Sequence, residues 1–223
     1  MSANTSLLEE AFHLYLDNAY IAVPMIAAIV VTAIAMWLLA AAVTLAVLGA
    51  PFYAAPRPIL FLAGISLLLV AVLALVSVVA DTIAGGMVAE LALSIAVGGR
   101  MGLAEAWERV KPRALTLVVA AILAGIVSLI LSIVPVVGLA VAETLFAPVP
   151  LLVVKGRGAV ESMEGSARLV LDSLSRRAEV PLAAFVIFLL GALNSTLGIL
   201  VSLLGYPYVV LLYALYAVRE GVL

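Results

Sequence analysis

Three acids stand inside or beside long apolar runs: Asp81, Glu90 and Glu143. A carboxylate in hydrocarbon is costly, so such groups usually face a bundle interior or a water-filled cavity and often carry function. The chemistry they could support is a proton or cation relay, or contact with a polar substrate. A structural role is open for each as well. Asp81 could mark a helix break near the interface, Glu90 a helix continuing beyond the bilayer, and Glu143 a pair within the bundle. No Lys or Arg in the spans offers a countercharge. Glu143 would then be protonated, exposed to a cavity, or bonded to a hydroxyl such as that of Thr144.

Other chemistries find no residues to run them. His13 is the single histidine and sits among surface acids, whereas a metal site needs several N, O or S ligands. There is no cysteine, which excludes disulfides and thiolate metal sites. No serine lies in a nucleophile elbow, and no histidine near the apolar runs could act as its base. Gly-Gly-Arg-Met-Gly at 98–102 lacks the strand and spacing of a nucleotide-binding loop. The chain is therefore expected to be no enzyme, with no cofactor, no metal and no nucleic-acid partner.

Composition fixes the solvent. Hydrophobic residues make up 67% of the chain and charged ones 11%, more apolar surface than a soluble domain of this length could hide. About 20 apolar residues cross a bilayer, and backbone groups in lipid must be satisfied internally, so the runs are helices. Strands of alternating polarity, the mark of a membrane barrel, do not occur. Glutamine is absent, asparagine occurs three times, and arginine outnumbers lysine nine to two. These fit either a high-temperature host or codon bias. The acidic amino terminus lacks the basic region of a cleavable signal.

The fold class expected is all-α, a polytopic membrane bundle of six transmembrane helices, with seven as the alternative. Residues 1–19 carry an amphipathic helix in which Ser6 and Glu9 form a capping box. Residues 20–223 form one transmembrane domain. Its first span is Tyr20 to Leu48, followed by a proline loop over 49–58. The run 59–97 is either one long element interrupted near Gly85-Gly86 or a hairpin turning at Asp81-Thr82. The next spans are expected at 114–133, 139–154, 180–203 and from about 208 to 218. Turns are read at 134–138 and at Gly205-Tyr-Pro207, while Asn194, Ser195 and Thr196 either bond between helices or make a second short turn. Two surface segments intervene. In 99–113, Leu103, Trp107 and Val110 form a stripe, Glu105 and Arg109 pair, and Pro112 stops the helix. In 158–177, the stripe is Val160, Met163, Ala167, Val170 and Leu174, with Glu164–Arg168 and Arg168–Asp172 as pairs. The look-alike stretches Met101–Glu108 and Arg157–Glu164 make 78–133 and 139–203 an expected internal repeat.

Basic residues gather in these segments: Arg100, Arg109, Lys111, Arg113, then Lys155, Arg157, Arg168, Arg176 and Arg177. With six spans they share one side with both termini, and the positive-inside rule makes that side cytoplasmic. They either fix topology and rest on anionic lipid headgroups, or dock a cytoplasmic partner. The short helix between two spans that ends in Glu179-Val-Pro-Leu182 resembles the coupling helix of transporter permeases, although the spacing of Glu161 and Gly165 departs from that family's acid–small–small signature.

The order of parts resembles the six-helix membrane domains attached to some glycerophosphodiester phosphodiesterases, and related bacterial and archaeal inner-membrane proteins. The residues that carry it are Gly102-Leu-Ala-Glu-Ala-Trp107, Ile133-Val-Pro-Val-Val-Gly138, Ala147-Pro-Val-Pro-Leu-Leu-Val-Val154 and Gly158-Ala-Val-Glu-Ser-Met-Glu-Gly-Ser166. The resemblance spans about residues 20–218 and implies a fold, not an activity, since the catalytic domain of the fused members is absent. The function expected is that of a cell-membrane protein with a transport-related or membrane-organising role. The alternative is a permease-like subunit or adaptor docking through its basic helices. Lipid, and a second copy or another membrane protein, are the partners expected.

Overall fold

The computed structural model describes residues 6–49 and 56–222, leaving aside the side chains of 45–49, 56–63, 65, 66 and 195. The described residues are mainly helical and contain no strand. Five helical stretches are long and apolar enough to cross a membrane: Ala19–Thr44, Leu67–Ala96, Leu103–Leu131, Val137–Val154 and Thr196–Arg219. Glu179–Leu193 is a shorter apolar helix. Contacts divide the chain into Ala27–Asp81 and a larger unit made of Met1–Ile26 with Thr82–Leu223.

The smaller unit holds most of α2 (Val23–Gly49) and the first part of α3 (Pro56–Ala96). Its apolar side chains face outward, Trp37 at 71% exposure and Leu67 at 72%. In water that surface would not persist; in lipid it is the favourable arrangement. The proline loop expected over 49–58 lies outside the described residues from 50 to 55.

In the larger unit, α1 (Leu7–Asp17) starts as expected, with the Ser6 hydroxyl accepting the Glu9 N–H at 3.2 Å. It packs on α11 (Tyr206–Arg219), where Tyr208 donates to the Leu8 carbonyl at 3.2 Å and Arg219 pairs with Glu10. Every residue of α11 from Val209 to Ala217 is buried, which makes it the core of this unit. Around it lie α4 (Leu103–Val110), α5 (Ala114–Leu131), α6 (Val137–Phe146), α7 (Val149–Val154), α8 (Ala159–Arg176), α9 (Glu179–Leu193) and α10 (Ser195–Leu200).

Three expectations need correction. First, α3 runs unbroken through Gly85-Gly86. The two glycines serve contact instead: a Cβ on Gly85 would stand 2.9 Å from the Tyr206 hydroxyl, and one on Gly86 would stand 2.6 Å from Leu117. Second, the surface segment is not set apart from the next span, although α4 does end at Val110, just ahead of Pro112. That proline sits in one 3-10 turn, Lys111–Arg113, after which α5 follows directly, because a first-turn proline gives up an N–H that needs no partner. Third, the chain does not turn at Gly205-Tyr-Pro207. It turns at Asn194, whose side chain accepts the N–H groups of Thr196 and Leu197 at 2.8 and 3.4 Å. From there the helix continues through a wide π turn, Val201–Gly205, where the chain accommodates the donor missing at Pro207.

The two look-alike stretches share their corner. After α3, Gly98 has φ of 75° and the Gly99 N–H reaches the Ser94 carbonyl at 2.8 Å; after α7, Gly156 has φ of 96° and the Arg157 N–H reaches the Leu152 carbonyl at 3.2 Å. Only glycine takes a positive φ without strain. An extended glycine, Gly102 or Gly158, then precedes the helix, and a glutamate, Glu105 or Glu161, occupies its first turn. Buried Ala106 and Val110 of α4 correspond to buried Ser162 and Ser166 of α8.

Helix α8 presents three faces. One is buried, with Ser162, Ser166, Leu169, Val170 and Ser173. One carries Glu161, Glu164, Arg168, Asp172 and Arg176. Between them Val160, Leu171 and Leu174 are exposed. Leu171, not Val170, therefore completes the outward apolar strip.

The α5–α6 connection is the tightest point. Val136, a β-branched residue, holds φ of 65° in a γ-turn closed by the Val137 N–H and the Pro135 carbonyl at 2.7 Å, a strained conformation. Gly138 follows, and a Cβ there would stand 1.9 Å from the Leu131 carbonyl oxygen. Gly138→Ala should therefore destabilise the fold by about 2 kcal/mol or more, read by SDS titration in micelles. A loss below ~0.5 kcal/mol would show that this crossing is not tight.

Candidate polar sites of the bundle

Glu90 lies in the last two turns of α3 with 8% of its surface exposed. Its countercharges come from α4, the turn that follows it and the end of α7. Arg109 of α4 places Nη1 at 3.8 Å from Glu90 Oε2 while its Nη2 bonds Glu105 at 2.6 Å. Arg113 and Lys155 lie within electrostatic reach of the same carboxyl. Arg113 also donates through Nη1 to the Val153 carbonyl at 3.2 Å, tying the α4–α5 junction to the end of α7. A carboxylate among cations is held in place, so this site is a clamp between α3, α4 and α7.

Glu143 is placed differently. Its residue surface is exposed on α6 although protein atoms crowd the carboxyl, and no hydrogen bond or ion pair engages that carboxyl among the described residues. The Thr144 hydroxyl, offered by the sequence as its partner, donates instead to the Ala140 carbonyl at 2.7 Å. Its polar neighbour is Tyr206, within electrostatic reach. The helix breaks one turn later, at Ala147-Pro148, before α7 resumes. Pro148 and Pro150 lack N–H groups, so the carbonyls of Thr144 and Phe146 lose their in-helix donors. Asp81 belongs to the smaller unit and is exposed on α3. Glu90 and Glu143 thus occupy separate environments.

Most of the basic residues are spent on intramolecular pairs. Lys111 meets Glu108 at 4.0 Å, Arg168 pairs with Glu164, and Arg177 meets Glu179 at 3.8 Å. Asp172 pairs with Arg176 at 2.9 Å rather than with Arg168, because the Tyr216 hydroxyl bonds its other oxygen at 2.8 Å and Glu220 holds Arg176 from the far side at 3.6 Å. That network joins the end of α8 to α11, and periodicity within α8 could not reveal it. Arg100, Arg113, Lys155 and Arg157 have no carboxylate within 4 Å among the described residues. Arg157 folds its guanidinium over Gly165. His13 is exposed, and no cluster of His, Cys, Asp and Glu suited to a metal occurs among the described residues.

Glu90→Gln should cost about 1–2 kcal/mol of stability, since it leaves Arg109, Arg113 and Lys155 facing one another. Arg109→Gln should cost under ~1 kcal/mol, because two cations stay within reach of Glu90. Unfolding both variants in micelles compares them; equal losses would place the clamp in the Arg109 contact alone.

No family model matches the chain, and no curated protein or solved structure is significantly similar to it.

Proposed function

We propose a multi-pass protein of the cytoplasmic membrane, non-catalytic and transport-related, in which Glu143 is the resting place of a proton or small cation. What carries this reading is the pairing of an unpartnered carboxylate with a broken helix. A charge at membrane depth costs about 2.5–3.5 kcal/mol on insertion scales and is rarely kept without use. Carbonyls freed beside it supply further oxygen ligands, as in transporters whose helices break at the binding site. Glu90 does not support the reading, since its charge is committed to the clamp.

Six crossings fit best. The five long helices leave α9, whose 15 residues make a short sixth. The Arg219–Glu10 pair holds the two ends of the chain together, which favours an even number of crossings. The basic corners then share the cytoplasmic side with both termini. The matching corners at Gly98 and Gly156 support the reading of 78–133 and 139–203 as a repeat, and the order of parts keeps its resemblance to the phosphodiesterase-associated membrane domains. An adaptor role draws less support, because five of the nine cations in the basic segments are internally paired.

Purified protein in proteoliposomes should conduct or exchange protons or an alkali cation, and Glu143→Gln should lower that flux at least tenfold while Glu90→Gln spares it in folded protein. Absence of flux for protons, sodium, potassium and small solutes would sink the transport reading. Tags at the two termini should both be reachable only from the cytoplasmic side; a periplasmic amino terminus would require an odd number of crossings.

A further inference from the structure

We propose that the corner between α7 and α8 binds the phosphate of an anionic phospholipid headgroup, held by Arg113 and Lys155 and by the open amino end of α8. This stands apart from the transport reading and uses none of its residues.

Both cations are free of acid partners within 4 Å among the described residues. Arg113 is fixed over the corner. One nitrogen holds the Val153 carbonyl at 3.2 Å, and the other lies 3.7 Å from where a Cβ on Gly156 would stand. A guanidinium has five N–H donors, so most remain for a ligand. Lys155 adjoins it at the end of α7 and is exposed.

The third contributor is the start of α8. Gly158 has φ of −66° and ψ of 166°, and no side chain caps the helix there. A Cβ on Gly158 would meet nothing within 4 Å, so this end opens onto free space. The first N–H groups of a helix have no partners within it and carry the positive end of its dipole, the arrangement that accepts phosphate. Glu161 in the same turn and Glu90 nearby limit the positive charge. The site would thus hold one phosphate group rather than a polyanion.

Phosphate could come from lipid or from solution. The exposed apolar strip on α8 selects lipid. Val160, at 69% exposure, stands two residues from Gly158, and Leu171 and Leu174 continue the strip along the helix. A helix with one apolar face outward and a charged face beside it lies at the acyl–headgroup boundary. The amino end of α8 is then at the depth of lipid phosphates.

The test is lipid binding to the detergent-purified full chain, read by native mass spectrometry and by melting temperature, with phosphatidylglycerol, phosphatidylcholine and inorganic phosphate as the probes. Phosphatidylglycerol should bind at least fivefold tighter than phosphatidylcholine. Lys155→Gln, an exposed change, should weaken it about fivefold and Arg113→Gln/Lys155→Gln roughly 25-fold, at about fivefold for each cation near a headgroup. Glu161→Gln should tighten it several-fold, and Arg168→Gln, in an internally paired residue, should leave it within twofold. Unchanged binding in folded Lys155→Gln, or equal binding of the two lipids, would overturn the site. Competition by inorganic phosphate at a few millimolar would assign the site to a soluble anion and overturn the lipid assignment.

Discussion

Close approach of helices through small residues is the constraint on which the rest of this bundle depends. Lipid is as apolar as leucine, so no hydrophobic force draws membrane helices together, and van der Waals contact has to hold them. Contact of that kind needs places where a side chain is missing. Gly85 and Gly86 let α3 meet Tyr206 and Leu117; Gly138 lets α6 start against the last carbonyls of α5; Gly191 admits Val201 and Gly205 admits Ile187 where the chain doubles back. Buried serines do the same on α8, where Ser166 also donates to the Leu145 carbonyl at 2.6 Å. These positions explain why a chain so rich in glycine and alanine forms long helices. The intrinsic cost of glycine in a helix, about 1 kcal/mol against alanine, is offset where it opens a packing surface.

Charge is arranged around those contacts rather than among them. Carboxylates and cations meet at the corners between helices: Glu90 with Arg109, Asp172 with Arg176 and Tyr216, Glu10 with Arg219. The exposed pairs among them add little each. Their effect is positional, because each joins elements distant along the chain and so fixes which helix ends lie together. Arg113 shows the economy of the arrangement. One guanidinium reaches a carbonyl at the end of α7, lies over the following glycine and adds to the field around Glu90.

Local features were legible in the sequence, and contacts between distant residues were not. The Ser6 cap, the Glu105–Arg109 and Glu164–Arg168 pairs, the bend at Pro148 and Pro150 and the apolar helices all follow from spacing within a few residues. By residue type alone Asn194, Gly205 and Pro207 are all breakers, and spacing does not rank them. Asn194 prevails through two hydrogen bonds to the backbone, and a π turn deprives Pro207 of its effect. Helical spacing admits either Val170 or Leu171 to an apolar strip, and only the packing of α8 on its neighbours buries the first and exposes the second. The partners of Glu90 and Asp172 lie 19 and 44 residues away, and no period within one helix contains them.

Glu90 and Glu143 began as equivalent signals, each a carboxylate within an apolar run, and chain geometry separates them. Glu90 sits near the end of its helix, and α4 folds back to bring Arg109 within 3.8 Å. Glu143 sits 12 residues before Lys155, the first cation after it. At about 1.5 Å per helical residue that is roughly 18 Å along the axis, more than a lysine side chain can span. The residues before Glu143 are apolar back to Ser132 apart from glycine and proline, and between Glu143 and Lys155 the one polar side chain is that of Thr144. No neighbour in sequence can neutralise it, and among the described residues the fold brings it Tyr206 and no cation within ion-pair distance. An ionised Glu143 facing hydrocarbon would be too costly to keep. A carboxyl at that depth is kept at low cost only with a proton, a cation or water beside it, and that requirement, more than the presence of an acid in a span, is the physical basis of the proposal.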